Sequence, residues 1–145
     1  MNIIQQNYPN LFIIGAAKSG TTTLHEILSK LPFIYMSKMK EPHFFSNFSH
    51  DYETAKLIPT IKNYRQYKKL FEYKNEYIYV GESSTSYFWS RSAADKIYSH
   101  NPLSKIIILI RNPIDRFISH YYNNVREGFE KRCIERAISD ELTGL

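Results

Sequence analysis

Residues 11–22, which read LFIIGAAKSGTT, decide the fold class of this chain. The apolar run Leu11–Ile14 is typical of a buried strand, and the loop 15–20 that follows it leads into a helix from about Thr21. Four apolar residues then recur at helical spacing before Pro32 stops the helix: Leu24, Ile27, Leu28 and Leu31. A strand, a glycine-containing loop and a helix in this order predict the first β-α unit of an α/β domain.

The same alternation of apolar and amphipathic stretches continues along the chain. Further strands are predicted at 33–36, 77–80 and 105–110, and further helices at 64–71, 90–100, 113–125 and 133–142. After Lys105, this last strand contains only isoleucine and leucine through residue 110, so we expect it at the centre of the sheet. Asn112 and Pro113 are predicted to cap and begin the helix that follows. We therefore predict one domain over 1–145, a three-layer α/β fold with a mostly parallel sheet.

Composition limits the kind of protein this chain can be. With 145 residues, 43% hydrophobic and 23% charged, it fits one globular domain and excludes a disordered or collagen-like chain. No apolar stretch approaches the roughly 20 residues that cross a bilayer, and residues 1–9 lack a secretory pattern, so we expect a cytoplasmic protein. Cys133 is the only cysteine, and no ligand spacing predicts a metal site. The net charge of +5 favours anionic partners.

The loop between the first strand and helix has the features of a phosphate-binding site. Backbone N–H groups in a tight turn and at a helix start point towards one spot, where the helix dipole adds positive potential. Lys18 adds a full charge, and the hydroxyls of Thr21 and Thr22 can complete the shell. The order differs from the Walker A motif, which has lysine directly after the second glycine, where this chain has Thr21. An ordinary strand-to-helix turn with a surface lysine remains the alternative.

A second motif, RNPIDRFISHYY at 111–122, follows the apolar run 105–110. Together with KSGTT at 18–22, it resembles the sulfotransferase family that uses 3′-phosphoadenosine 5′-phosphosulfate (PAPS). KEPHFF at 40–45 and GESSTSYF at 81–88 are similar to two further segments of that family, in the same order. The resemblance covers nearly the whole chain and implies that the fold is P-loop-like.

The resemblance implies transfer of a sulfuryl group from PAPS to a hydroxyl or amine acceptor on a glycan, lipid or small molecule, without a metal. Glu41 matches the family's catalytic base, and Lys18 is suited to stabilise the leaving phosphate. PAPS has two phosphate groups, and the family motifs assign residues to each. The 5′-phosphosulfate is assigned to Lys18, Ser19, Gly20, Thr21 and Thr22, and the 3′-phosphate to Arg111 and Ser119. His43 is a competing base, although we expect it to orient the loop.

Two departures from the family pattern keep other functions open. Ser83 stands where several heparan-sulfate-type members have a lysine that neutralises the transferring group. Complete members are much longer, which implies a chain truncated at its carboxyl end and completed by a second half or by self-association. The alternatives are therefore a non-catalytic nucleotide-binding remnant and a P-loop nucleotide kinase, although no acidic residue ends the 105–110 strand to hold magnesium. Nucleic-acid binding is disfavoured, because the aromatics among the basic residues 62–74 share helical spacing.

Overall fold

In the computed structural model, residues 8–46, 60–72 and 77–143 are described, and the chain divides into two compact units between Ile110 and Arg111. The first unit contains β1 (Leu11–Gly15), α1 (Thr21–Leu28), β2 (Ile34–Met36), α2 (Tyr64–Lys69), β3 (Tyr79–Ser83), a 3-10 helix (Thr85–Phe88), α3 (Ala93–His100) and β4 (Lys105–Ile108). The second unit contains α4 (Pro113–Arg126) and α5 (Ile134–Thr143).

The described strands form one parallel sheet in the order β2-β3-β1-β4. Leu11 of β1 pairs with Gly81 of β3 on one side and with Lys105 of β4 on the other. Because all four strands run the same way, their carboxyl ends meet at one edge of the sheet, where open α/β folds place their ligands. The loops after β1, β2 and β3 all leave from this edge.

Side chains on the two faces of the sheet build two separate cores, as the alternation along a strand requires. Leu11 and Ile13 pack with α1 on one face, whereas Phe12 packs among the aromatic residues of α2 and the 3-10 helix on the other. The three-layer α/β prediction is therefore confirmed for the first unit. Ile27 departs from the predicted helix face and is 52% exposed, since Leu24 and Leu28 are the residues of α1 that pack on the sheet.

Two strands differ from their predictions. β3 begins at Tyr79 and ends at Ser83, whereas the prediction was 77–80. The strand can continue past Val80 because hydrogen bonds satisfy the buried Glu82 carboxyl, and an apolar pattern cannot reveal such bonds. The strand predicted to be central, β4, instead lies at one end of the described sheet order. An unbroken apolar run indicates two covered faces, yet Ile106 and Ile108 are about half exposed in this structure, at 46% and 49%.

The second unit forms from the local signals that the sequence predicts. Asn112 Oδ1 accepts hydrogen bonds from the backbone N–H groups of Ile114 (3.0 Å) and Asp115 (3.4 Å), with Pro113 as the first residue of α4. The Tyr121 hydroxyl donates to the Arg132 carbonyl at 2.8 Å, which joins α4 to the segment before α5. Both predicted helices of this unit are confirmed.

Candidate active site

The start of α1 forms a positively polarised cradle at the carboxyl edge of the sheet. Gly20 occupies the cap position with a φ of 89°, and the first N–H groups of α1 have no side-chain cap within the described ranges. Lys18 has a φ of 64°, and a Cβ added at Gly20 would meet no atom within 4 Å. The buried Ser19 Oγ has no hydrogen-bond partner in the described part of the chain. Open space, unsatisfied donors and a cation together fit a phosphate group.

The two threonines assigned to this cradle differ in their surroundings. Thr21 is the first residue of α1 and is 5% exposed, so its side chain is part of the packed interior of the first unit. Thr22, the next residue, is exposed.

Glu41 is held at the carboxyl end of β3 by contacts with three residues. Its backbone N–H donates to the Ser83 carbonyl at 2.9 Å, and its Oε2 accepts from the Thr85 N–H at 2.8 Å and from the Thr85 hydroxyl at 3.3 Å. Its Oε1 lies 2.7 Å from Lys40 Nζ. The side chain is 27% exposed, so the carboxylate is both oriented and open to solvent. These donors orient the two carboxylate oxygens, which are hydrogen-bond acceptors.

His43 lies beside this carboxylate, with its Nε2 3.5 Å from Glu41 Oε2. Its Nδ1 and the Ser86 Oγ share a hydrogen bond of 2.7 Å, so the ring is oriented from its other side. Burial lowers the pKa of His43, Glu41 opposes that shift, and Lys40 adds to it. The imidazole is therefore neutral near pH 7, a form that can orient the loop or accept a proton.

Glu82, for which the sequence predicted no role, is a completely buried carboxyl on β3. The hydroxyls of Tyr67 and Tyr87 donate to its Oε1 at 2.6 and 2.7 Å, and the Ser84 hydroxyl donates to its Oε2 at 2.7 Å. Burial raises the pKa of Glu82 to about 7, although the three hydrogen bonds act in the opposite direction. The glutamate within the family-like stretch 81–88 was the available signal for this residue.

Ser83, the residue in place of the family lysine, is fully buried at the end of β3. Its Oγ lies 2.7 Å from Nδ1 of His25, which α1 contributes. Burial lowers the pKa of His25, and the nearby Lys40 lowers it further. The position is therefore filled by a hydroxyl–imidazole pair between β3 and α1.

The 3-10 helix connects the cradle to the Glu41 carboxylate. A Cβ added at Gly15, the last residue of β1, would lie 2.7 Å from the Phe88 Cβ and 3.4 Å from the Thr85 carbonyl oxygen. Thr85 is also the residue that donates to Glu41. The structure thus brings two predicted site segments, the 15–22 loop and the Glu41 loop, to one short helix.

The remaining predicted site residues belong to the second unit. Arg111 directly precedes the Asn112 cap of α4, and Ser119 is a half-buried residue within that helix. Among the residues that the structure describes, no group of three His, Cys, Asp or Glu side chains could hold a metal ion.

The family model described as "Sulfotransferase domain" matches residues 8–139, which include all of the described strands and nearly all of the helical residues. This chain belongs to the sulfotransferase domain family. The suspected family is therefore confirmed, together with its α/β fold.

Comparison with individual family members shows what share of their length this chain matches. It is 35% identical to mouse heparan sulfate glucosamine 3-O-sulfotransferase 5 over 88% of this chain and 34% of the relative. It is 30% identical to the membrane-associated sulfotransferase kil1 of Dictyostelium discoideum, over 81% of this chain and 23% of that protein. The crystal structure of a sulfotransferase from Alicyclobacillus acidocaldarius matches with a TM-score of 0.83 and 35% identity, covering 94% of this chain and 57% of the other. The chain thus spans about a quarter to a third of these curated relatives.

The expectation of a cytoplasmic location is wrong. One sulfotransferase relative is named as membrane-associated, and others are named for heparan sulfate or carbohydrate, which contradicts that assignment. The composition of residues 1–9 could not decide location, because the chain corresponds to only part of its relatives.

Within residues 8–46, 60–72 and 77–143, no helix combines the length and the apolar character that crossing a bilayer requires.

Proposed function

We propose that this chain forms the donor-binding and proton-accepting part of a PAPS-dependent sulfotransferase. The observation that carries the proposal is the pairing of an uncapped helix start with an oriented carboxylate at one edge of the sheet. An anion cradle alone would suit many nucleotides, whereas a fixed base beside it suits transfer to a hydroxyl or amine that must lose a proton. The relatives named for heparan sulfate and carbohydrate support a glycan as the acceptor.

The proposal assigns the two phosphate groups of the donor to different segments. The 5′-phosphosulfate is assigned to the α1 cradle, formed by Lys18, Ser19, Gly20, Thr21 and Thr22, on the basis of the unsatisfied donors described above. The 3′-phosphate is assigned to Arg111 and Ser119, on the basis of their motif. We retain the proposal that residues 1–145 act as one PAPS-binding domain, because the family match includes both units.

The residues of this chain have distinct roles in the proposed transfer. PAPS supplies a sulfuryl group whose bond to a phosphate oxygen breaks as the acceptor oxygen or nitrogen bonds to sulfur. The Glu41 carboxylate accepts the acceptor's proton, while Thr85 and Lys40 keep its oxygens oriented. The Lys18 ammonium stabilises the negative charge that develops on the departing phosphate.

Donor-site binding is the first prediction. We expect the product nucleotide, 3′-phosphoadenosine 5′-phosphate, to bind the chain in a calorimetric titration. Lys18→Ala and Arg111→Ala should each weaken binding about 10- to 100-fold, because each removes a charged hydrogen bond to a phosphate. Lys30→Ala and Arg126→Ala are matched controls, since these exposed residues follow α1 and end α4, at the opposite ends from the assigned phosphate groups. Absence of binding to the unaltered chain contradicts the proposal.

Catalysis is tested separately from binding. We expect Glu41→Gln to lower transfer of labelled sulfate to a glycan acceptor about 10²- to 10⁴-fold, because the amide cannot accept the proton. The nucleotide dissociation constant of this variant should stay close to that of the unaltered chain. Nucleotide binding without transfer by the unaltered chain would instead favour the non-catalytic remnant.

A further inference from the structure

We propose that the buried Glu82 is a positioning residue for the Glu41 loop, because it orients two hydroxyl groups that bind backbone N–H groups of that loop. The inference rests on the proposed function, in which Glu41 accepts the proton. It assigns Glu82 no contact with donor or acceptor, since its side chain is completely buried.

The first connection passes through Ser84. The Ser84 hydroxyl donates to Glu82 Oε2 at 2.7 Å, and its oxygen accepts from the His43 backbone N–H at 3.0 Å. Because the hydroxyl proton points to Glu82, the oxygen lone pairs remain available to the loop. The carboxylate therefore determines the direction in which this hydroxyl donates.

The second connection passes through Tyr87 of the 3-10 helix. Its hydroxyl donates to Glu82 Oε1 at 2.7 Å and accepts from the Phe45 backbone N–H at 3.3 Å. Two alternate N–H groups of the loop, those of His43 and Phe45, are thus bound by hydroxyls that share one carboxylate.

Tyr67 of α2 adds a third contact between Glu82 and the same loop. Its hydroxyl donates to Glu82 Oε1 at 2.6 Å, while its ring stacks on Phe44 with centroids 4.2 Å apart and planes 11° from parallel. The edge-to-face contact of Tyr67 with Phe45 has a centroid separation of 5.4 Å. All three hydroxyl-bearing partners of Glu82 therefore contact residues 43–45.

The loop requires this support because two of its residues have unfavourable backbone conformations. Glu41 and His43 have φ values of 56° and 55°, in the left-handed region that L side chains rarely adopt. Such conformations persist only where the surrounding structure holds them. The hydrogen bonds from the Glu41 N–H to the Ser83 carbonyl and from the His43 N–H to Ser84 supply that support.

The hydrogen-bond pattern around Glu82 matches an ionised carboxylate better than a neutral group, although burial acts against ionisation. It only accepts hydrogen bonds, so all three hydroxyls can donate to it, whereas an amide or a protonated carboxyl places a donor against one of them. The ionisable groups acting on Glu82 are Tyr67 from α2, Tyr87 from the 3-10 helix and Glu41 from the loop, and Ser84 is its other polar partner. Burial and the Glu82 charge raise the pKa of both tyrosines, so they remain protonated donors.

Amide hydrogen exchange, followed residue by residue by NMR at pH 8, tests the two connections. We expect Glu82→Gln to speed exchange at the His43 and Phe45 amides about 10-fold or more, because the hydrogen bond that protects each amide then breaks more easily. Ser84→Ala should act on the His43 amide alone, and Tyr87→Phe on the Phe45 amide alone. Tyr35→Phe is the matched control, because it removes a hydroxyl that donates to the Leu70 carbonyl and should alter neither amide.

A transfer assay links this geometry to the reaction. We expect Glu82→Gln to lower kcat roughly 10- to 100-fold through misplacement of the Glu41 carboxylate, with the nucleotide dissociation constant within about twofold of the unaltered chain. The kcat of the unaltered chain should fall below about pH 7 in a step that the Glu82→Gln variant lacks. This step separates positioning by the carboxylate from a purely structural effect.

The two assays distinguish failure of this inference from failure of the proposed function. If the unaltered chain transfers no sulfate, the proposed function fails, and the exchange rates alone decide the role of Glu82. A folded Glu82→Gln variant with unaltered exchange at His43 and Phe45 overturns the inference. If that variant does not fold, Ser84→Ala and Tyr87→Phe decide in the same way, because each interrupts one connection.

Discussion

Within the described ranges, non-glycine residues with strained backbone include the two proposed to act on the donor and the acceptor, Lys18 and Glu41, and one further residue of the Glu41 loop. Lys18, Glu41 and His43 are non-glycine residues with positive φ, and all three lie in loops that leave the carboxyl edge of the sheet. Each such conformation costs on the order of 1–3 kcal/mol and persists only under constraint. A constrained backbone limits where the Lys18 and Glu41 side chains can lie, which favours a site organised before its ligands arrive.

Gly81 gives a prediction at the scale of a single residue, because β1 and β2 approach it too closely for a side chain. An added Cβ would lie 2.8 Å from Met36 Sδ and 3.0 Å from the Leu11 carbonyl oxygen. We expect Gly81→Ala to lower the free energy of unfolding by about 1–3 kcal/mol, since the backbone of β1 must shift. Denaturant unfolding measures this change, and an unaltered midpoint would contradict the close packing of β1 against β3.

At the scale of elements, β3 and the 3-10 helix that follows it position the candidate base, Glu41. The consecutive β3 residues Glu82 and Ser83 face the two sides of the sheet, where one contacts Tyr67 of α2 and the other His25 of α1. The 3-10 helix that follows β3 then supplies the Thr85 N–H to Glu41. One strand and one turn of helix thereby connect both layers of helices to the base.

The cap of α4 gives a prediction at the same scale. Asn112→Ala removes the acceptor for the first N–H groups of the helix and should lower the stability of the second unit by about 0.5–2 kcal/mol. Asn112→Asp is the control, since a carboxylate also accepts these hydrogen bonds and interacts favourably with the helix dipole. Thermal unfolding of both variants measures the difference. Equal loss in the two would show that the cap bonds do not stabilise α4.

At the scale of the whole molecule, the free energy of unfolding depends on pH through two kinds of buried group, histidines and a glutamate, whose effects have opposite signs. Burial lowers the pKa of His25, His43 and His100 below the ordinary value of 6.5, so their contribution is lost as the pH falls through that region. Burial raises the pKa of Glu82 from 4.5 to about 7, so the folded state binds more protons than the unfolded state between these values. The Glu82 contribution therefore decreases as the pH rises through that window.

Comparison with Glu82→Gln isolates this carboxyl, because the histidines are the same in both proteins. Between about pH 4.5 and pH 7, the unaltered protein should lose roughly 3 kcal/mol of stability relative to the variant. Denaturant unfolding at a series of pH values measures the difference. A difference that stays constant across this range would show that the carboxyl titrates alike in the folded and unfolded states.

The sequence predicted the elements whose signals are local. β1, α1 and the capped start of α4 follow from apolar spacing, glycine and the Asn112-Pro113 pair, all of which act within a few residues. The order of the family-like motifs also identified the sulfotransferase family, because these motifs are continuous in the chain.

Long-range contacts decided what the sequence could not determine. Glu82 has no apolar or helical pattern to mark it, and its burial depends on hydroxyls from Tyr67 of α2, which precedes it by 15 residues, and from Tyr87 of the 3-10 helix. The position of β4 in the strand order likewise depends on which strands pair. Its apolar run indicates only that its side chains favour burial and does not indicate its neighbours. The orientation of the Glu41 carboxylate depends on Thr85, 44 residues away along the chain, because the fold alone brings these two groups within hydrogen-bonding distance.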